Sequence, residues 1–168
     1  KANFQDVAVK AYTYDGKVYG VPYAVENIAL VRNTDLAPNA PASWDEMIKA
    51  GKDAVAAGKA KYPLLLQQDA ANGDPYHMYP LQASFGAPVF TAKADGSLDA
   101  SKVAMGGDAG AKFAAALSGW GKDGLLNLNI SGDIAKEQFG KGASPYIITG
   151  PWNIADFKKA GVKYAISE

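Results

Sequence analysis

Hydrophobic positions along the chain follow two alternating periods, and together they predict an α/β domain. Continuous or alternating apolar runs occur at residues 26–33, 61–68 and 144–150, and they favour strands. Between them, residues 44–58 and 74–86 place apolar side chains at helical spacing. Strands that alternate with helices over most of the length predict a three-layer α/β domain with helices on a sheet.

Capping residues sharpen the predicted helix limits. Ser43 is followed three residues later by Glu46, which is the spacing of a capping box. Asp74 precedes Pro75, so a second helix is expected to begin there with an N-cap and a proline at its first position. Asp108 is expected to cap a third helix. Hairpin turns are predicted at Asp15-Gly16 and Asp95-Gly96.

Two strand-to-helix junctions carry unusual side chains. In open α/β sheets, ligands bind outside the carboxyl ends of strands. One junction, "TGPWN", places Trp152 directly behind Gly-Pro at the end of a predicted strand. The other, "QDAANGDPYH", holds Asp74, Tyr76 and His77. Both junctions are therefore candidate ligand sites.

Each candidate residue also has a purely structural interpretation. Trp152 could plug the core, Asp74 could act only as a helix cap, and Tyr76 could be a core residue. His77, the only histidine, could lie at a helix end or in a cleft. Glu26, at the head of a predicted strand, could be an edge charge, an ion-pair partner or a ligand contact. Taken together, carboxylates beside aromatic rings suit a sugar, whose apolar faces stack on rings and whose hydroxyls donate to carboxylates.

Composition and charge narrow the function classes. Lysine plus arginine equals aspartate plus glutamate at 17 each, and no basic stripe points to nucleic acid. The chain has no cysteine, which excludes thiol catalysis and cysteine-ligated metals, and we expect no cofactor or metal. The G-x-G-x-x-G match at residues 119–124 follows a helical pattern rather than a strand, so it predicts a turn and no nucleotide site.

Beyond these patterns, the sequence resembles a known family. "GKVYGVPYAVENIALVRNTDLAPNAPASWDEM" is similar to the central part of the maltose/maltodextrin-binding proteins, the solute-binding components of sugar ABC importers. "DPYHMYPLQASFG", "GAKFAAAL", "AKEQFGKG" and "ITGPWNI" continue the similarity in the same order. The resemblance implies an incomplete, three-layer lobe of a two-lobed periplasmic-binding-protein-like (type II) fold, which closes on its ligand at a hinge.

The resemblance also implies which residues bind the sugar. The family's acidic ligand in "AVE" falls on Glu26, and its acidic-Pro-Tyr contacts fall on Asp74 and Tyr76. Its stacking tryptophan in "GPW" falls on Trp152. The family's usual longer acid is replaced by aspartate here, and the aromatic that usually follows the tyrosine is replaced by His77. These departures are expected to change hydroxyl reach and stacking at one end of the site.

The same resemblance supplies the wider expectations. Residues 1–25 are expected to belong to or cross from the N-terminal lobe, and residues 26–168 to form a partial C-terminal ligand-binding lobe. The expected protein is non-catalytic, monomeric and extracytoplasmic, and delivers an oligosaccharide, above all maltose or a malto-oligosaccharide, to the membrane permease subunits of an ABC importer. The first residues lack the apolar core of a signal peptide, and both ends are expected to lie inside a longer protein. The alternatives are a glycoside hydrolase using Glu26 and Asp74, or a lobe that binds a non-sugar solute.

Overall fold

The computed structural model describes residues 3–167, so Lys1, Ala2 and Glu168 and the corresponding ends of the predicted segments 1–25 and 26–168 lie outside it. Its helices are α1 (Asp6–Ala11), α2 (Trp44–Ala56), α3 (Pro75–Ser84), α4 (Gly107–Lys122), α5 (Gly132–Gly140) and α6 (Ile154–Lys159). Its strands are β1 (Thr13–Tyr14), β2 (Lys17–Val18), β3 (Ala29–Asn33), β4 (Phe90–Ala92), β5 (Leu98–Val103), β6 (Tyr146–Thr149) and β7 (Tyr164–Ser167). Both predicted hairpins form, as the antiparallel pairs β1–β2 and β4–β5.

The central sheet has the order β6-β3-β7, and both of its ladders are antiparallel. The prediction of a strand at 61–68 is wrong, because this segment does not form a full ladder. Within the described residues, Leu65 alone pairs with the sheet, through a parallel bridge to Ile147 of β6. The backbone explains why: the Gln68 N–H donates to Ile130 O at 2.8 Å, which turns the chain away from the sheet.

Helices cover both faces of this sheet, which confirms the three-layer prediction. The run Leu64-Leu65-Leu66 is buried throughout, because alternate residues point to opposite faces. Leu64 and Leu66 pack with α2 and α3 residues such as Met47 and Met78. On the other face lie Leu65, Val31, Ile147, Ala135, Phe139 and Phe157. The sheet is therefore the shared wall of two apolar clusters.

The helix limits follow the capping signals in two cases out of three. The Ser43 hydroxyl accepts from the Glu46 N–H, and Asp74 caps α3 with Pro75 in the first turn. The prediction for Asp108 is wrong: Gly106 is the N-cap of α4, and Asp108 lies in the first turn. The cause is Gly107, whose φ of +63° lets the chain enter the helix earlier than a side-chain cap would.

Residues before β3 form a separate local unit. Helix α1 and the β1–β2 hairpin pack against one another, and residues 19–28 then run without regular structure to β3. Exposed apolar side chains are frequent here, including Tyr14, Tyr19 and Tyr23. Among the described residues, no helix is long and apolar enough to cross a membrane.

Candidate functional site

Three chain segments reach the same edge of the central sheet. Ala29, the first residue of β3, pairs with Thr149, the last residue of β6. Because these strands are antiparallel, the chain before Ala29 and the chain after Thr149 leave the sheet at one edge. Leu65 runs parallel to β6, so the chain that follows it leaves there too. Both candidate junctions and the segment that carries Glu26 therefore meet at this edge.

Trp152 lies in a single 3-10 turn, Pro151–Asn153, immediately after β6. Its side chain lies against the backbone of Gly150, where an added Cβ would fall 2.1 Å from Trp152 Cζ3. The buried Asn153 fixes the turn by donating to the Thr149 hydroxyl at 2.9 Å. Trp152 is still 43% exposed, so a face of the ring remains open to a ligand.

The Asp74 carboxylate is held by three donor groups. Its Oδ1 accepts from the His77 N–H at 2.9 Å, which is the helix cap that the sequence predicts. His77 Nδ1 lies 3.0 Å from each carboxylate oxygen, and the Gln67 amide donates a short hydrogen bond to Oδ2. The acid is therefore fixed in orientation within a mostly buried environment.

The electrostatics of Asp74 follow from these contacts. Burial by itself raises the pKa of this carboxyl, but hydrogen bonds from the His77 N–H, the His77 ring and Gln67 outweigh it. The net result holds the pKa of Asp74 below its ordinary value of 3.8. The folded state thus favours the ionised acid, which is the form that accepts hydrogen bonds from hydroxyl groups.

A first prediction concerns acid stability. A depressed folded-state pKa contributes stability that is fully present above the unfolded pKa and is lost as pH falls through the folded value. Asp74→Asn keeps a good helix cap but removes the titrating group. We expect the stability advantage of the wild type over Asp74→Asn, measured by urea unfolding, to shrink as pH falls below about 4. An advantage that is constant between neutral and strongly acidic pH would contradict this assignment.

Aromatic side chains surround the acid. The rings of Tyr76 and Trp152 lie 6.4 Å apart between centroids and are tilted by 40°. His77 meets both edge-on, at 5.4 Å from Tyr76 and 6.1 Å from Trp152. Tyr76 is 56% exposed, whereas His77 is only 4% exposed. The two larger rings therefore form an open surface with the histidine behind them.

Glu26 reaches the same edge but stands apart from this cluster. It is exposed, and it lies three residues before β3 in the irregular segment. Within residues 3–167, its carboxylate accepts no hydrogen bond and forms no ion pair. The structure thus brings Asp74, Tyr76, His77 and Trp152 together and leaves Glu26 exposed outside this cluster, at the same edge.

Gln67 is a site residue that the sequence analysis missed. It immediately follows the buried run that ends at Leu66, and it donates to Asp74 seven residues later. The rule that ligands bind at strand ends could have singled it out, because it is the first polar residue after the apolar run.

One large cavity does not coincide with this cluster. It has a volume of about 670 Å³ and opens on the sheet face covered by α2 and α3, where Leu30, Trp44 and Ile148 line it. Its lining is mostly apolar, and neither Asp74 nor Trp152 takes part. A sugar needs charged acceptors beside an aromatic face, so we assign the candidate site to the sheet edge. The described residues contain no group of three or more potential metal ligands.

Comparisons with known proteins show what the chain is similar to. A family model described as bacterial extracellular solute-binding protein matches residues 1–167. The chain is 32% identical to the maltodextrin-binding protein MdxE of Bacillus subtilis, over 96% of this chain and 39% of that protein. It is 28% identical to the galactooligosaccharide-binding protein of the same organism, over 98% of this chain and 39% of that protein. These relatives are named as binding proteins rather than enzymes.

A solved structure is similar as well. The maltotriose binding protein of Thermus thermophilus, bound with maltotriose, superposes with a TM-score of 0.82 at 31% identity. The match covers 98% of this chain and 43% of that one. The chain therefore spans about two fifths of the length of the proteins that it resembles.

Proposed function

We propose that this chain, which belongs to the bacterial extracellular solute-binding protein family, forms one wall of a non-catalytic binding site for a malto-oligosaccharide. The observation that carries the proposal is the open pair of rings, Tyr76 and Trp152, beside the fixed carboxylate of Asp74. A pyranose offers an apolar face for the rings and hydroxyls for the acid. Glu26 supplies a second, unoccupied carboxylate from the neighbouring segment.

The whole protein delivers its sugar to an importer. Two of the similar proteins are named for binding maltodextrin and maltotriose, which supports the choice of ligand. A pneumococcal relative, 31% identical over 36% of its length, is named a maltooligosaccharide ABC transporter solute-binding lipoprotein. The corresponding proposal here is an extracytoplasmic monomer that hands the sugar to membrane permease subunits.

The lobes divide near Val25. Residues 1–25 belong to or cross from an N-terminal lobe, and residues 26–168 form part of the C-terminal lobe. The local unit before β3 supports this division, because its hairpin strands pair only with each other among the described residues. The irregular segment 19–28 is then the connection between the lobes.

Binding rather than hydrolysis is favoured by the state of Asp74. Three donor groups occupy this carboxylate and hold its pKa low, whereas a general acid needs a raised pKa. The same geometry suits an acceptor that stays ionised through binding. A glycosidase would release free glucose or maltose from maltotriose in proportion to the protein added, and that result would overturn the receptor assignment.

A second prediction tests the sugar and Glu26 together. By titration calorimetry, the intact protein is expected to bind maltotriose more tightly than a galacto-oligosaccharide of equal length. Glu26→Gln is expected to weaken maltotriose binding about five-fold, because a neutral acceptor loses on the order of 1 kcal/mol relative to a charged one. Its Tm should stay unchanged, since the Glu26 carboxylate has no partner in residues 3–167.

Glu137→Gln is the matched control for Glu26→Gln. Glu137 is an exposed glutamate on α5 that pairs with Lys141 and lies outside the site. Its replacement is expected to leave sugar affinity unchanged. Tighter binding of the galacto-oligosaccharide would overturn the malto-oligosaccharide assignment, and equal affinities for wild type and Glu26→Gln would remove Glu26 from the site.

A further inference from the structure

We propose that Gln67 and His77 are positioning residues of this site, acting through the Asp74 carboxylate rather than on the sugar. The inference rests on the proposed function and deepens it, because it assigns the acid's orientation to two side chains behind the binding surface. It replaces the expectation that His77 is itself a sugar contact.

Gln67 is held in place from two sides. Its amide nitrogen donates to Asp74 Oδ2, while its Oε1 lies against the first residue of α5. A Cβ added at Gly132 would fall 2.9 Å from that oxygen, so the glycine allows the amide to pack closely against the helix start. The Gln67 amide is therefore pinned with its NH₂ group toward the acid.

The intervening loop is shaped to return the chain to Gln67. Asp69 Oδ1 accepts from the Ala71 N–H at 3.0 Å and from the Asn72 N–H at 2.7 Å, which forms a tight turn. Gly73 follows with a φ of +66°. The turn brings Asp74 back against Gln67, so the backbone of the loop itself places the two side chains in contact.

His77 holds the acid from the opposite side. A carboxylate only accepts hydrogen bonds, so the proton between it and the ring must lie on Nδ1. Nε2 is then buried without a hydrogen-bond partner in the described part of the chain, and the ring as a whole lies edge-on to Tyr76 and Trp152. At 4% exposure the ring has almost no surface for a ligand, which is why its role is indirect.

The hydrogen bonds that the Asp74 carboxylate already accepts limit how many more it can accept from a ligand. A carboxylate has about four acceptor positions. The His77 N–H, the His77 ring, whose Nδ1 lies 3.0 Å from both oxygens, and the Gln67 amide engage most of them. The Asp74 side chain is 13% exposed, so only a small part of it remains accessible to a ligand. The two positioning residues thus restrict how the Asp74 carboxylate can meet a sugar hydroxyl.

A third prediction follows for Gln67→Leu, with the adjacent Gln68→Leu as its control. Gln68 is also buried, but its amide nitrogen has no partner in residues 3–167, so its loss breaks no hydrogen bond there. In the intact protein, Gln67→Leu is expected to weaken maltotriose binding about five-fold, while Gln68→Leu leaves it unchanged. Equal effects of the two variants would overturn the positioning role of Gln67.

The pH profile separates positioning from simple loss of structure. Among the described residues, His77 is the titratable group that acts on Asp74, and Tyr76 is the other ionisable side chain of the cluster. Without the Gln67 hydrogen bond, the acidic limb of the affinity profile should move to higher pH. Weaker binding with an unmoved limb would mean that Gln67 merely supports the fold, which would also overturn the proposal.

A readout that needs no sugar distinguishes the two proposals. Nitrogen NMR of the sugar-free protein should show His77 with its proton on Nδ1, and the signals are identified by their loss in His77→Phe. Asp74→Asn should abolish this preference, because an amide can also donate. A proton on Nε2 in the wild type would overturn the role of His77 even if maltotriose binds. The expected tautomer without maltotriose binding would overturn the proposed function instead.

Discussion

Trp152→Ala is expected to weaken malto-oligosaccharide binding about thirty-fold while most of the stability of the fold remains. The exposed ring can cover roughly 80 Å² of a sugar face, which at ~25 cal/mol per Å² contributes about 2 kcal/mol. At ~1.4 kcal/mol per tenfold, this corresponds to about thirty-fold in affinity. The fold is less affected because the ring is 43% exposed, whereas removing a core tryptophan costs ~3–5 kcal/mol.

The neighbouring glycine provides a second variant that leaves the ring chemically intact. In Gly150→Ala the new Cβ would lie 2.1 Å from Trp152 Cζ3, so the ring must move. The backbone itself tolerates alanine, since Gly150 has a φ of −106°. We expect this variant to lose affinity as well. Gly119→Ala is the control, because an added Cβ there meets nothing within 4 Å.

Fluorescence assigns the effect to Trp152. Maltotriose should change the emission of the wild type, and that change should disappear in Trp152→Ala. The other two tryptophans, Trp44 of α2 and Trp120 of α4, pack on each other, with their ring centroids 4.9 Å apart. Unchanged affinity together with a large fall in Tm would instead identify Trp152 as a core residue.

Asp74→Ala is expected to lower the free energy of unfolding by about 3–4 kcal/mol. It removes a helix cap worth ~1 kcal/mol. It also leaves the Gln67 amide and the buried His77 ring without their acceptor, and each buried unsatisfied group costs ~1–3 kcal/mol, less where water can enter. Urea unfolding followed by circular dichroism measures the loss, and calorimetry should show weaker sugar binding in the same variant.

Ser43→Ala is the control that separates the energetic contribution of helix capping from that of the buried contacts of Asp74. Ser43 caps α2 through a single hydrogen bond to the Glu46 N–H in an exposed setting. Its loss should therefore cost only about 1 kcal/mol. Equal losses for Ser43→Ala and Asp74→Ala would mean that Asp74 is no more than a cap, and its contacts with Gln67 and His77 would carry no stability.

Local chemistry made the family and most elements predictable from the sequence. The family resemblance is confirmed, and so is the three-layer arrangement. Capping by Ser43 and Asp74 was predictable because a cap depends on residues only three positions apart. The hairpin turns were predictable for the same reason. Asp108 was not, since the glycines before it offered the backbone an earlier entry into α4.

The site was predictable only in part. The resemblance and the strand-end rule singled out Asp74, Tyr76 and Trp152, which the structure brings to one edge. The sequence did not reveal that His77 is buried behind them, because it cannot say which side of the start of a helix will be covered by other segments. Nor did it reveal Gln67, whose role depends on a turn through Asp69 and on the close approach of Gly132.

The sequence by itself determined what nearest neighbours and short periods encode: caps, turns, the buried run at Leu64–Leu66 and the aromatic character of the strand ends. Tertiary structure alone decided which of these side chains are exposed at the candidate site and which are buried behind it. The physical reason is that the cluster is packed by segments far apart in the chain: Trp152 lies beside Tyr76 and His77, and the start of α5 lies against Gln67. Such contacts exist only once the sheet edge has been assembled.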